Sequence, residues 1–329
     1  MTATAPQIPT ISGTITPDQL GAVLMHEHVL LAQPDVTVAF PGIFDPEVRV
    51  PDARRQLREL KDLGIDTIVD MTVLGMGRDI DLVRRASDGT GLNVLAATGF
   101  FTLDELPVFF QRRGPGTLFG GSDPLEELFV RELESGIAET GVRAVVIKCA
   151  TGERGLTHDV DRVLRSAAAA HQRTGAVIST HADPATQRGI DQQRVLREEG
   201  VELDRVVIGH CGDSTDLDYL TTIMDAGSSV GMDRFGMDNL LPTAERVRVV
   251  AELVRRGYAS RILLSHDTNC FTANWDPEAR ERMIPDWRLS FIPTRVLGLL
   301  RDAGVGDEDI DRMMRANPAR LLTSTKERS

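Results

Sequence analysis

Cysteine is scarce in this sequence and never closely paired. Cys149, Cys211 and Cys270 are the only three in 329 residues. An odd count without a CxxC spacing excludes a disulfide framework and a cysteine zinc knuckle, and it fits a reducing compartment. Long apolar runs are missing as well, with no stretch near the roughly 18 residues of a membrane-spanning helix. The opening residues, MTATAPQIPTISG, lack the basic start and apolar h-region of a secretory signal, so a cytoplasmic location is expected. Basic charge is in deficit: 37 Lys and Arg stand against 49 Asp and Glu, a net charge of −12. That balance argues against nucleic acid or an anionic membrane as partner, and it leaves a small uncharged substrate open. No internal repeat, low-complexity tract or linker interrupts the chain, so residues 1–329 are expected to form a single domain.

What is present is an alternation. Short, β-branched apolar runs occur at 21–28, 66–72, 93–99, 144–150, 176–182, 205–212, 228–235 and 261–267. Continuous rather than alternating apolar character is the mark of parallel strands buried on both faces. Between them lie amphipathic stretches such as DARRQLRELKDLG and DVDRVLRSAAAAHQRTG, several ending in the glycine that commonly stops a helix. STDLDYLTTIMDAG opens with a Ser or Thr suited to capping. Eight strands with helical crossovers predict a (β/α)8 TIM barrel of the α/β class. The alternative, an open doubly wound sheet, calls for a glycine-rich phosphate turn after strand 1, where VLLAQPDVTVAFPG stands instead. TISGTITPDQLG reads as a short N-terminal hairpin at the barrel base, and DEDIDRMMRANPARLL as a C-terminal helical cap.

In such a barrel the chemistry sits at the C-terminal ends of the strands. Reading those ends collects His26 and His28 from strand 1, Lys148 from strand 4, His181 from strand 5, His210 from strand 6 and Asp267 from strand 8. Alternate residues of a strand share a face, so His26 and His28 point together, either as a pair of hydrogen-bonded core histidines or as half of a metal site. His158 and His171 read as surface residues in and before a helix. Four imidazoles and a carboxylate are N and O ligands suited to Zn, Co, Mn or Fe. Five are too many for one catalytic ion that keeps an open position, and they suit a pair of divalent ions. Lys148 is then either a salt-bridged lysine at the rim or a neutral amine that has added CO2 to become a bridging carbamate. Burial beside cations lowers a lysine pKa, as carbamate formation requires. Asp267 is the candidate general base or proton shuttle, with capping of the following segment as its structural alternative.

HxH on strand 1, VIKCATGE, STHAD, VIGHCGDSTD and LSHDT, in this order and spacing, resemble the phosphotriesterase family of the amidohydrolase superfamily over nearly the whole chain. TVLGMGRDI, IDQQR and GMDRFGMD are most similar to the phosphotriesterase-like lactonases. The resemblance implies two divalent metal ions bridged by carboxylated Lys148 and a hydroxide, with His26, His28 and Asp267 on one ion and His181 and His210 on the other. It implies a homodimer as well.

The resemblance also bears on specificity. An arginine at the place of Arg234 is a feature of the lactonase branch, where it helps hold the substrate end of the site; otherwise Arg234 forms a rim salt bridge with Asp233 or Asp238. The lactonases usually carry tyrosine where TGFF has Phe101. Phenylalanine cannot donate a hydrogen bond, so Phe101 favours bulkier, apolar substrates unless it is core packing. Residues 268–287, with two tryptophans, Phe271 and Met283, read as a substrate-covering loop or a dimer contact. The expected activity is metal-dependent hydrolysis of lactones, N-acyl homoserine lactones among them, with promiscuous action on organophosphate triesters. The alternatives are a phosphotriesterase or carboxylesterase proper, and an inactive barrel kept as a binding protein. A related branch that hydrolyses amides carries glutamate at the position of Lys148, and the lysine argues against it.

Overall fold

The apolar runs mark their strands. In the computed structural model, which describes residues 7–323, β1 (Ile8–Thr10) and β2 (Gly13–Ile15) form an antiparallel hairpin. The larger sheet comprises β3 (Val23–Leu31), β4 (Thr67–Asp70), β5 (Asn93–Gly99), β6 (Ala144–Thr151), β7 (Val177–Ala182), β8 (Val206–Ile208), β9 (Ser229–Met232), β10 (Ile262–Leu264) and β11 (Asn269–Thr272). The first six residues of MTATAPQIPTISG lie outside the described residues.

All pairings in the large sheet are parallel, in the order β10-β9-β8-β7-β6-β5-β4-β3-β11. Its two edges belong to one stretch of chain. β10 pairs with β9, and β11, a few residues later, pairs with β3. Between them the Asp267 N–H donates to the His26 carbonyl at 3.0 Å, and the His28 N–H donates to the Thr268 carbonyl at 2.8 Å. The eighth strand is therefore a single path interrupted at 265–268, and it closes the sheet as a TIM-barrel-like cylinder. Three expected strands stop at least three residues early. β8, β9 and β10 end at Ile208, Met232 and Leu264, which leaves His210, Arg234 and Asp267 on the turns just beyond them.

Met25, Val69, Leu95, Val146, Val177, Val207 and Leu263 fill the barrel interior, as close-packed interiors require. Ile8 and Ile15 of the hairpin, with Leu20, join the same apolar cluster, as do Leu321 and Leu322 near the C-terminus. Hairpin and C-terminal helices thus plug one end of the barrel, and the strand C-termini open at the other. A second, larger cluster lies between the sheet and the surrounding helices.

The helices follow local rules with two corrections. Thr157 caps the helix His158–Thr174, and Gly175 ends it at φ 75°. The helix Leu217–Asp225 is capped by Asp216, whose carboxylate accepts from the Tyr219 N–H, rather than by the preceding Ser or Thr. His158 is exposed as expected, but His171 is buried, its Nδ1 bonded to the Ala176 carbonyl at 2.7 Å. Among the described residues no helix is long and apolar enough to cross a membrane.

Candidate metal centre

β3 carries two histidines, and a bulge decides where they point. Val23 and Leu24 pair with Thr67 and Ile68, but the next partnered residues are Glu27 and Asp70. Two residues of β3 therefore oppose one of β4. This extra residue lets both Met25 and His26 face inward, and His28 follows on the same face. The other ring nitrogen of each imidazole is taken. His26 Nδ1 bonds Asp233 at 2.9 Å, and His28 Nδ1 bonds the Thr72 hydroxyl at 2.8 Å. With Nδ1–H donating to the Asp233 carboxylate, His26 Nε2 presents its lone pair to the barrel mouth, and His28 Nε2 points to the same place. Those atoms lie 3.4 and 3.2 Å from the same Asp267 oxygen.

Lys148 on β6 reaches the same place, its Nζ 2.8 Å from His26 Nε2. It is 1% exposed, and burial brings its pKa down to about 8 although Asp267 and Asp233 pull the other way. Burial, reinforced by the Lys148 charge, lowers His26 to about 3, so its ring is neutral. Gly99 makes the approach of β5 to β6 possible: a Cβ there, at φ 132°, would lie 1.9 Å from the Lys148 carbonyl oxygen.

His181 is the penultimate residue of β7 and His210 follows β8. His210 Nε2 lies 2.8 Å from His181 Nδ1. His210 Nδ1 donates to Asp233 at 3.0 Å, and its backbone N–H donates to the same oxygen at 2.8 Å. His210 and Asp267 both adopt left-handed backbone, at φ 59° and 53°, a conformation costly for non-glycine residues and concentrated at functional sites. Burial alone would raise the Asp267 carboxyl. The imidazoles of His210 and His26, with His28 and Arg234, outweigh it and hold the group well below the usual carboxylate range.

The geometry brings together His26, His28, Lys148, His181, His210 and Asp267. Donor atoms of His26, His28 and Asp267 fall within 4.8 Å of one another, a group able to hold a metal ion. His26, His210 and Asp233 do so too, but both Asp233 oxygens are occupied by Nδ1–H groups, so Asp233 orients the two imidazoles. The donor set fits divalent cations. Burial lowers the pKa of His26 and His181, and these imidazoles with His28 and His210 converge on a buried carboxylate and an amine of lowered pKa, the N and O donors that a divalent ion takes.

Residues 6–322 match the phosphotriesterase family. A phosphotriesterase homology protein of Mycobacterium tuberculosis is 45% identical over 318 residues, covering 96% of this chain and 98% of the relative. An aryldialkylphosphatase of Saccharolobus solfataricus is 33% identical over 313 residues, covering 94% and 97%. The solved structure of the phosphotriesterase from Mycobacterium tuberculosis superposes with a TM-score of 0.96 at 44% identity, covering 97% of this chain and 99% of that one. The chain belongs to the phosphotriesterase family.

Around the mouth of this phosphotriesterase-family barrel, two expectations need revision, those for Arg234 and for residues 268–287. Arg234 pairs with neither Asp233 nor Asp238. Its Nε donates to Asp267 at 3.0 Å and its Nη1 to Asp213 at 2.9 Å, while buried Arg246 grips the other Asp213 oxygen at 2.6 Å. Burial disfavours the Arg234 charge, but the two carboxylates more than restore it. Phe101 is partly exposed; it packs against the barrel-interior cluster, and its ring stands edge-on to His181 at 5.6 Å between centroids. Residues 268–287 do not form one covering loop. Asn269–Thr272 is β11, and Phe271 packs outward on Phe44 and Arg49. Trp287 is buried and donates its indole N–H to the His266 carbonyl. Met283, 59% exposed, stays at the surface.

Sequence reasoning missed Asp233 as the shared partner of His26 and His210, and Thr72 behind His28. Their positions at the ends of β9 and β4 were the available signal. A cavity of about 480 Å³ opens on the site, lined among others by Leu103, His181, Pro184, Asp213, Arg234 and Leu240.

Proposed function

We propose that this protein is a binuclear metal-dependent hydrolase that opens lactones, N-acyl homoserine lactones among them, with promiscuous activity on organophosphate triesters. The observation that carries the reading is the meeting of six ligand-type side chains from β3, β6, β7 and the turns after β8 and β10 beneath Arg234 and Phe101. His26, His28 and Asp267 would hold one divalent ion (Zn, Co, Mn or Fe) and His181 and His210 the other, with Lys148 as a carbamate between them. Bound there, such ions act as Lewis acids toward a carbonyl or phosphoryl oxygen and bring the pKa of water toward neutrality.

The residues divide the remaining work. Asp267 stays ionised beside the Arg234 guanidinium, and its carboxylate is placed to accept a proton near the reacting atoms. Arg234 ties Asp267 to Asp213 and presents its guanidinium edge to the cavity, where it orients a substrate oxygen. Phe101, Leu103 and Leu240 give an apolar wall, and the cavity volume suits a small ester with an apolar arm. An uncharged substrate accords with the net charge of −12.

A phosphotriesterase or carboxylesterase proper is the second reading. Phe101 favours it, because its edge-on ring offers His181 no hydroxyl where a lactone ring oxygen would seek one. Stripping metal with a chelator should abolish hydrolysis, and Co2+, Mn2+ or Zn2+ should restore it. Ranking a long-chain acyl lactone against an aryl triester by kcat/KM separates the two readings, a higher value for the triester overturning the first.

We read residues 1–329 as one hydrolase domain of a cytoplasmic homodimer. The three buried free thiols support the location. The dimer is supported by the helix Pro34–Ala39, which has no buried residue, and by Val38 and Phe40 at 80% and 61% exposure. Light scattering on the purified protein checks it: a monomer mass at micromolar concentration removes the dimer.

A further inference from the structure

Glu27 stands between the two ligand histidines of β3 and points the opposite way, into the layer between sheet and helices. It is 0% exposed, and its contacts run to a single place 239 positions along the chain. Oε1 accepts from the backbone N–H of His266 at 2.8 Å and from His266 Nδ1 at 2.7 Å, and Oε2 accepts from the backbone N–H of Thr268 at 3.1 Å. Those two amides flank Asp267, whose left-handed turn interrupts the ladder between β10 and β11. A regular strand would offer backbone carbonyls to these amides; here one carboxylate does so from the neighbouring strand. His266 Nε2 accepts the Ile292 N–H at 2.9 Å, so the ring is neutral with its proton on Nδ1, aimed at Glu27.

We infer that Glu27 is the positioning residue for Asp267: by clamping the amides on either side, it holds the left-handed turn that directs the Asp267 carboxylate at His26 and His28. The inference rests on the proposed role of Asp267 as a metal ligand. It accounts for a fully buried acid beside a catalytic-type centre that it does not face. It also explains how a strand broken at 265–268 keeps a ligand in fixed register with β3. No cation meets the carboxylate among the described contacts, so its partners are the turn and His266.

The test is a Co2+ titration of metal-free protein, followed by visible absorption and by metal content after gel filtration. Wild type, Glu27→Gln and Asn317→Ala are compared. Asn317 anchors the opposite end of the same strand, donating to the Ala259 and Ile262 carbonyls at 2.8 Å, so its loss reports general destabilisation. Glu27→Gln should weaken Co2+ binding at least tenfold and alter the cobalt band shape. Asn317→Ala should lower the melting temperature while leaving the band and affinity as in wild type. If Glu27→Gln is recovered only as aggregate, Glu27→Asp, which keeps the charge and shortens the reach by one methylene, takes its place with the same expected loss. Wild-type affinity and spectrum in the Glu27 variant, or the same spectral change in Asn317→Ala, overturns the inference while the metal reading stands. Failure of wild type to take up cobalt overturns the metal reading and the inference with it.

Discussion

Single side chains carry two sharp expectations. Phe101→Tyr adds a hydroxyl beside His181 at the site wall. If that hydroxyl reaches a lactone oxygen, kcat/KM for lactones rises several-fold, the scale of one hydrogen bond worth about 1 kcal/mol; an unchanged value assigns the position to packing alone. Lys148 makes the metal-free protein pH-sensitive. Burial brings its folded pKa down to about 8, below the ordinary lysine value of 10.5, so between those values the unfolded chain binds more protons. The Lys148 contribution to stability therefore climbs as pH rises through that window, by up to roughly 3 kcal/mol, against the opposite slope of the three buried thiols, whose pKa values burial raises. Urea melts of wild type and Lys148→Met at pH 8 and 10 check this: the stability difference between the two should shift in favour of wild type at the higher pH. The ligand residues were legible in the sequence because each lies at or just past an apolar run. Asp233 was not, since its role exists only when His26, 207 positions away, is brought to 2.9 Å. His171 was misread because a histidine in a helical pattern carries no local sign of burial.

Strands and their neighbours separate the working end of the barrel from its base. Gly99→Ala would drive a methyl into the Lys148 carbonyl and force β5 from β6, so metal content measured by atomic emission should fall together with melting temperature. Leu321→Ala removes bulk from the plug at the opposite end. It should cost about 3 kcal/mol of stability in urea unfolding yet leave kcat at 25 °C as in wild type, since catalytic positions cluster at the strand C-termini. Eight strands could be read from composition because their two buried faces make continuous apolar runs. β11 could not: Asn269–Thr272, with its polar ends, looks like loop, and only the closure of the sheet makes it a strand. The bulge in β3 was equally hidden, being a mismatch in count with β4 rather than a property of either segment.

For the molecule as a whole, ions that bind only the folded state add stability. Two sites at a hundredfold excess over Kd would contribute about 5 kcal/mol together, so chelation should lower the melting temperature by about 10 °C, read by calorimetry with and without Co2+. An inert binding barrel with no ions would show no such drop. The seam at 265–268 has a consequence for how the protein is made. Because His26 emerges early in synthesis and Asp267 only about 240 residues later, the proposed site of His26, His28 and Asp267 would stay incomplete in a nascent chain until its last strand has docked. On that assignment, an ion held by His26, His28 and Asp267 would mark a finished barrel, since truncated products, or chains in which the final strand has not seated, lack its carboxylate.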